Sequence, residues 1–253
     1  MIDEPFAHGN TVIHRIDPRH KLCFAVLLSV TTAVSYRFDT LSFAVTLSLL
    51  LVLAARLEFK AVFKRLLVIF GFLILLWGVL PLTFEGEPLT RIGPLTVTRP
   101  GVVLSAQITL KSVSILMMFM ALVTTTGFVT LGHAMDRLHI PGKIVHLLLM
   151  SYRYIFVIEQ EYQRLARAAK IRGFQPGTNI HTYKTYAYMI GMLFVRAAAR
   201  ADRVYRAMRC RGFDGRFYCL AEFPAHPRNW IFAALMSIGF VGLVWLEWGT
   251  VNF

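Results

Sequence analysis

The sequence predicts an all-α integral membrane protein, with about five transmembrane helices and a large α-helical segment on the cytosolic side. Three observations predict it. The chain is 56% hydrophobic with a mean hydropathy of +0.57. Only 16% of its residues are charged, against about 25% in soluble domains. The charges are also unevenly spread: five long runs hold none, whereas residues 127–228 hold sixteen Lys/Arg and six Asp/Glu.

The five runs are Leu22–Tyr36, Thr40–Ala55, Leu66–Phe84, Ser112–Met135 and Asn229–Leu246. A helix crossing the hydrocarbon core needs about 20 apolar residues, with a range of roughly 17–25. The third, fourth and fifth runs meet that length. The first two are shorter, but Lys21 and Arg56 at their edges can reach the interface along their apolar stems. Arg37-Phe38-Asp39 between these two runs predicts a tight helical hairpin. Asp3, Glu4 and Asp17 precede the first run, so it reads as a retained span, with no cleavable leader expected.

The charge asymmetry then sets the orientation, because cytoplasmic loops are enriched in Lys and Arg. Arg15, Arg19 and Lys21 precede the first run, and Arg56, Lys60, Lys64 and Arg65 follow the second. The loop Glu85 to Arg99 is balanced, and the long segment 127–228 is strongly basic. The amino terminus and the long segment are therefore expected in the cytoplasm, and the tail after the last run outside. The expected outer loop, EGEPLTRIGPLTVTRPG, places Gly93-Pro94 between two short alternating stretches, which predicts a small hairpin or a structured turn. Lys111 reads as an interfacial lysine near the start of the fourth span. No pair of ionisable residues is expected inside the spans.

The chain accordingly divides into residues 1–126, with four spans; 127–228, the cytosolic helical segment; and 229–253, with the last span and a short tail. Within 127–228 a short helix is expected near Leu131–His139, ended by Pro141-Gly142. Two long helices follow, Lys143–Arg172 and Thr182–Arg211, each stopped by a glycine. On the second, Ala198, Ala201, Tyr205 and Met208 form an apolar stripe beside a basic one of Arg196, Arg200 and Arg203. Tyr186–Val195 is apolar but too short to span.

The two helix ends share a signature. RLARAAKIRGF, residues 164–174, and RVYRAMRCRGF, residues 203–213, agree at six of eleven positions. These are Arg164/Arg203, Arg167/Arg206, Ala168/Ala207, Arg172/Arg211, Gly173/Gly212 and Phe174/Phe213, while Lys170 faces Arg209. A basic residue near a helix C-terminus complements the dipole, and glycine just beyond adopts the left-handed conformation cheaply. That chemistry accounts for one Arg-Gly, not for the longer match. Two copies of one basic helix end imply two equivalent receiving surfaces, most simply acidic grooves on a dimeric cytosolic partner. Arg172 and Arg211 would each bind a carboxylate there through two parallel hydrogen bonds. Ala168 and Ala207 would permit close approach.

These paired ends, the basic insert and the amino-terminal HRIDPRHKL (residues 14–22) together resemble the T component of energy-coupling factor transporters. The chain is most similar to the CbiQ cobalt transport branch. The resemblance implies a multi-pass protein of the bacterial cell (inner) membrane whose cytosolic part is a coupling domain. It implies two ABC ATPase subunits (CbiO-like), a substrate-binding membrane subunit (CbiM-like), a small accessory membrane subunit and membrane lipid as partners. The family motif is Ala-Arg-Gly, used twice on helices that enter grooves on the ATPases. Here Arg172-Gly173 and Arg211-Gly212 match it, while Ile171 and Cys210 replace the alanine. The resemblance favours cobalt(II) as cargo; nickel or a vitamin stays open, and any metal-binding site falls to the separate substrate-binding subunit.

Other chemistry is not expected. No G-x-x-x-x-G-K-[ST], H-E-x-x-H or G-x-S-x-G occurs, so neither ATP hydrolysis nor another enzymatic activity is expected of the chain itself. Neither a cofactor nor a metal site is expected: the eight histidines show no ligand spacing, and Cys23, Cys210 and Cys219 read as free thiols. The net charge of +13 raises a membrane-tethered nucleic-acid binder as an alternative. Positive-inside bias accounts for much of that charge, and Phe174 and Phe213 stand singly instead of forming a stacking platform. Nucleic acid is therefore not an expected partner.

Overall fold

The structure, a computed structural model, describes residues 11, 13–84, 88–92, 95–213 and 227–249. After a 3-10 turn at Ile13–Arg15, the elements run α1 (Pro18–Val34), α2 (Phe38–Ala54), α3 (Phe59–Thr83), β1 (Pro88–Ile92), β2 (Leu95–Thr98), α4 (Arg99–Leu122), α5 (Phe128–Arg137), α6 (Gly142–Ile171), α7 (Ile180–Cys210) and α8 (Pro227–Val244). A π-helical turn, Trp245–Gly249, continues α8. The chain divides into two compact units: residues 135–221 and the remainder.

In the larger unit, α4 is the central helix, and α1, α2 and α3 all pack against it. α8 packs on α1 and α2. Lipid tails are as apolar as leucine, so helices in a membrane associate through close packing of small residues and not through hydrophobic exclusion. α4 shows how. Gly101 lies so close to α3 that an added Cβ would stand 2.7 Å from the Pro81 Cα. Ser105 and Ser114 are buried, and their hydroxyls donate to the Gly101 and Lys111 carbonyls of the same helix. The helices thus approach without stranding a polar group. Leu28, Leu47, Met118, Leu122, Met236 and Leu243 fill the space between.

Among the described residues, three helical stretches are long and apolar enough to cross a membrane: Lys60–Thr83, Arg99–Leu122 and Pro227–Gly249. α2 is apolar but only 17 residues long, and α1, also 17 residues, carries charge in its first turn. The outward faces are large and apolar: Val68, Ile74 and Ile238 are each at least 70% exposed, as a lipid-facing surface requires. The fold is thus that of an all-α membrane protein, and β1 and β2 between α3 and α4 pair antiparallel as a hairpin.

Three sequence expectations need correction. The fourth long helix covers Arg99–Leu122, not Ser112–Met135. Uncharged Thr124–Thr126 and Gly127 prolong the run, but they form the turn that ends the helix. Lys111 therefore lies in mid-helix. It is satisfied by donating to the Ala33 carbonyl at 2.8 Å and by standing 4.4 Å from the Tyr36 ring centroid. Second, α1 and α2 pack chiefly on α4 and not along one another as a hairpin. Third, two ionisable residues, Lys111 and Glu247, lie within the candidate spans near one corner, although not as an ion pair. Glu247, beyond the end of the last uncharged run, accepts hydrogen bonds from the Ser35 hydroxyl (2.6 Å) and the Tyr36 N–H (2.9 Å). The same corner is held by Lys111.

In the smaller unit α6 and α7 pack together. They enclose a cleft of about 220 Å³ lined by Tyr154, Val157, Leu193 and Ala197, with Glu161 and Arg196 also on its wall. α5, α6 and α7 lie within two residues of the expected limits at most ends, because capping glycines and prolines mark them.

Candidate functional site: the paired helix ends

α6 and α7 terminate in the same way. Arg172 and Arg211 are the C-cap residues, with φ/ψ of −81°/12° and −91°/9°. Gly173 and Gly212 follow, both at φ +83°. The Phe174 N–H then donates to the Ala169 carbonyl and the Gly173 N–H to Lys170. In the second copy the Phe213 N–H donates to Met208 and the Gly212 N–H to Arg209. Each set is a Schellman motif, satisfying carbonyls the helix would otherwise leave open. A Cβ at either glycine would meet nothing within 4 Å. The glycines answer a demand of backbone conformation, not of space in this chain.

The exposed side chains follow from helical geometry. Residues four apart share a face, so Arg164, Ala168 and Arg172 line up, as do Arg203, Ala207 and Arg211. Each face sets a small residue between two cations. Arg167 and Arg206 lie beside these faces, and all eight of these residues are exposed. Among the described residues, Arg172 and Arg211 have neither an ion pair nor a side-chain hydrogen bond. The copies differ in their neighbours. Arg206 pairs with Asp202, whereas Gln163 holds the matching place before Arg167. Arg164 stands 3.5 Å from Glu161, and Arg203 has no counterpart to it.

Glu161 was not legible as a site residue. It is the acid through which α7 grips α6, accepting a hydrogen bond from Arg196. That guanidinium, with Arg164 and Arg200 nearby, holds the Glu161 carboxyl below its ordinary range despite some desolvation. It is one of two acids in α6, with Glu159, and nothing in its local sequence singles it out. The first end is also braced by aromatic rings: Tyr186 meets Phe174 edge-on at 5.7 Å between centroids, and His181 lies at 6.3 Å. Thr182 accepts from the Gly177 N–H at 3.2 Å and fixes the turn between the two helices. Cys210 is exposed and Cys23 half-buried, while Cys219 lies outside the described residues. Among the described residues no three of His, Cys, Asp and Glu come together as a metal site would need.

The model of the CbiQ cobalt transport protein family matches residues 9–219, both helix ends included. The chain belongs to that family. It is also similar to curated proteins named energy-coupling factor transporter transmembrane protein EcfT. The one from Leuconostoc gelidum is 29% identical over 220 residues, covering 82% of both chains. The one from Listeria innocua is 29% identical over 227 residues, covering 85% of both. The one from Clostridium kluyveri is 26% identical over 264 residues, covering 96% of both. This CbiQ-family chain is thus a transmembrane transporter component.

Proposed function

We propose that this CbiQ-family chain is the coupling subunit of an energy-coupling factor importer. It passes the motion of two cytosolic ABC ATPases to a substrate-binding membrane subunit. The observation that carries the reading is the duplicated, exposed Arg-Gly helix end. Two cationic ends with the same cap geometry in one chain suit two copies of one acidic groove, and an ATPase pair supplies such copies. An arginine held at the end of a rigid helix, with alanine one turn behind it, suits insertion into a groove and a bidentate carboxylate contact. The sites assigned to that contact are Arg172, Gly173, Arg211 and Gly212, with Ala168, Ala207, Arg167 and Arg206 flanking them. The smaller unit, within residues 127–228, is then the coupling domain, and the amino terminus shares its cytoplasmic side.

The family description favours cobalt(II) as the transported species. The EcfT relatives carry no cargo in their name, so nickel or a vitamin is the competing cargo. In this reading the cargo binds the substrate-binding subunit.

The test is co-purification from cells expressing the chain with the ATPases of its own transporter. Affinity-purified wild type should retain ATPases in a two-to-one ratio and show ATP turnover; the chain purified alone should show none. Turnover in a preparation free of ATPases, or failure to retain them, would overturn the reading. Uptake assays with cobalt, nickel and vitamins in the same cells distinguish the cargoes.

A further inference from the structure

The amino-terminal DPRHK stretch has no part in the paired helix ends, yet it holds the most buried charged side chain described. Lys21 is 2% exposed. Its ammonium donates to the Thr126 hydroxyl, 105 residues away in sequence, at 3.2 Å. Four residues earlier, Asp17 caps α1 by accepting from the Arg19 N–H at 3.0 Å. The Asp17 N–H in turn donates to the Asn229 side-chain carbonyl at 3.2 Å. Asn229 is itself 5% exposed.

The two residues reached in this way are not arbitrary. Thr126 closes the turn where α4 ends, just before α5 leads towards residue 135 and the smaller unit. Asn229 lies in the first turn of α8, on the larger unit's side of the boundary after residue 221. One turn of α1 therefore grips both stems of the inserted unit on the side of the larger unit, where all five residues lie. The chemistry is suited to a firm hold. Among the described residues the Thr126 hydroxyl is the hydrogen-bond partner of this buried ammonium, and moving it would leave the charge with only the Asp17 charge nearby, which is costly. The end of α4 carries the negative pole of its dipole, which favours a cation at that place. The neighbouring hydroxyls of Thr124 and Thr125 donate to the Met120 and Ala121 carbonyls and tie the turn back to α4.

We infer that Asp17 and Lys21 form a polar clasp that holds the two stems of the coupling unit together, making Lys21 and Thr126 positioning residues for coupling. The inference rests on the coupling role proposed above. It adds that movement imposed on the insert reaches the membrane helices through stems fixed to α1.

Two measurements test it. The first uses the reconstituted complex with its ATPases and reads ATP hydrolysed per substrate imported. Lys21→Met and the milder Thr126→Val should retain the ATPases in a pull-down yet raise that ratio at least about fivefold, the low end of ordinary coupling between sites. The double variant should be no worse than either single one, and Lys21→Arg and Thr126→Ser should restore most of the coupling. An unchanged ratio in both single variants overturns the clasp. The Arg172→Glu/Arg211→Glu variant is the control: if it keeps normal assembly and uptake, the coupling reading fails, whatever Lys21 does. The second measurement is independent of transport. Spin labels at exposed Val129 and Trp230, with the three cysteines replaced by serine, report the separation of the stems. Lys21→Met and Thr126→Val should broaden the distance distribution, and an unaltered distribution in both also overturns the proposal.

Discussion

At the residue scale, arginine and glycine of the paired motif do separable work. Gly173 and Gly212 sit at φ +83° with open space around them. Gly173→Ala or Gly212→Ala should therefore weaken the helix end by about 1–2 kcal/mol, the cost of a Cβ in the left-handed region. Asparagine, which tolerates that region, should cost clearly less. Amide exchange at Phe174 and Phe213, whose N–H groups close the two caps, reads this directly; equal protection in the alanine and asparagine variants would contradict it. Arg172 and Arg211 have no such duty in the cap. Arg172→Glu or Arg211→Glu should leave the helices folded but cost assembly about 2–5 kcal/mol, as when a buried charge partner is removed. Loss of the dipole interaction alone would cost about 0.3–1 kcal/mol. Pull-down at matched membrane expression decides between these magnitudes. The glycines, arginines and phenylalanines were legible because local backbone chemistry selects them. The grip of Glu161 on Arg196 was not, because it joins residues 35 positions apart on two helices.

At the scale of elements, that grip has a pH dependence. The Glu161 carboxyl titrates below its ordinary 4.5, held there first by the Arg196 hydrogen bond. A group whose folded value is depressed contributes stability above its unfolded value and loses it as pH falls through the folded one. The α6–α7 pair should therefore be at full strength at neutral pH and loosen only on acidification below 4.5. Glu161→Gln should remove this acid sensitivity. Protease cleavage in the turn at Gln175–Gly177, followed from pH 7 to about 3.5 with an acid-active protease, checks it; identical profiles for wild type and Glu161→Gln would refute the assignment. Helix limits in this region were legible because glycine and proline punctuate it. The limits of α4 were not. Charge-free residues 123–127 extend the apolar run past the point where the helix turns, and hydropathy does not distinguish a helix from the turn that ends it.

At the scale of the whole molecule, the orientation proposed from charge has a direct check. In a cysteine-free background, Pro88→Cys should react with an impermeant thiol reagent from outside the cell, and Gln175→Cys should not. The reverse pattern would invert the arrangement and place the paired ends away from any cytosolic ATPase. The two units respond to different physics. The larger presents apolar side chains outward and small residues inward, and the smaller exposes its cations.

The amino-acid sequence by itself determined the class of the protein, the basic insert and the paired helix ends. Apolar run length, charge placement and C-terminal glycines act locally, and each is written in consecutive residues. Tertiary structure alone decided that α4 stands at the centre of the membrane helices and that Lys111 and Glu247 hold the α1–α2 corner. It also decided that Asp17 and Lys21 reach Asn229 and Thr126. Those contacts join residues 78 to 212 positions apart. No local period records such a pairing, because a buried polar group takes whichever partner the packing brings to it.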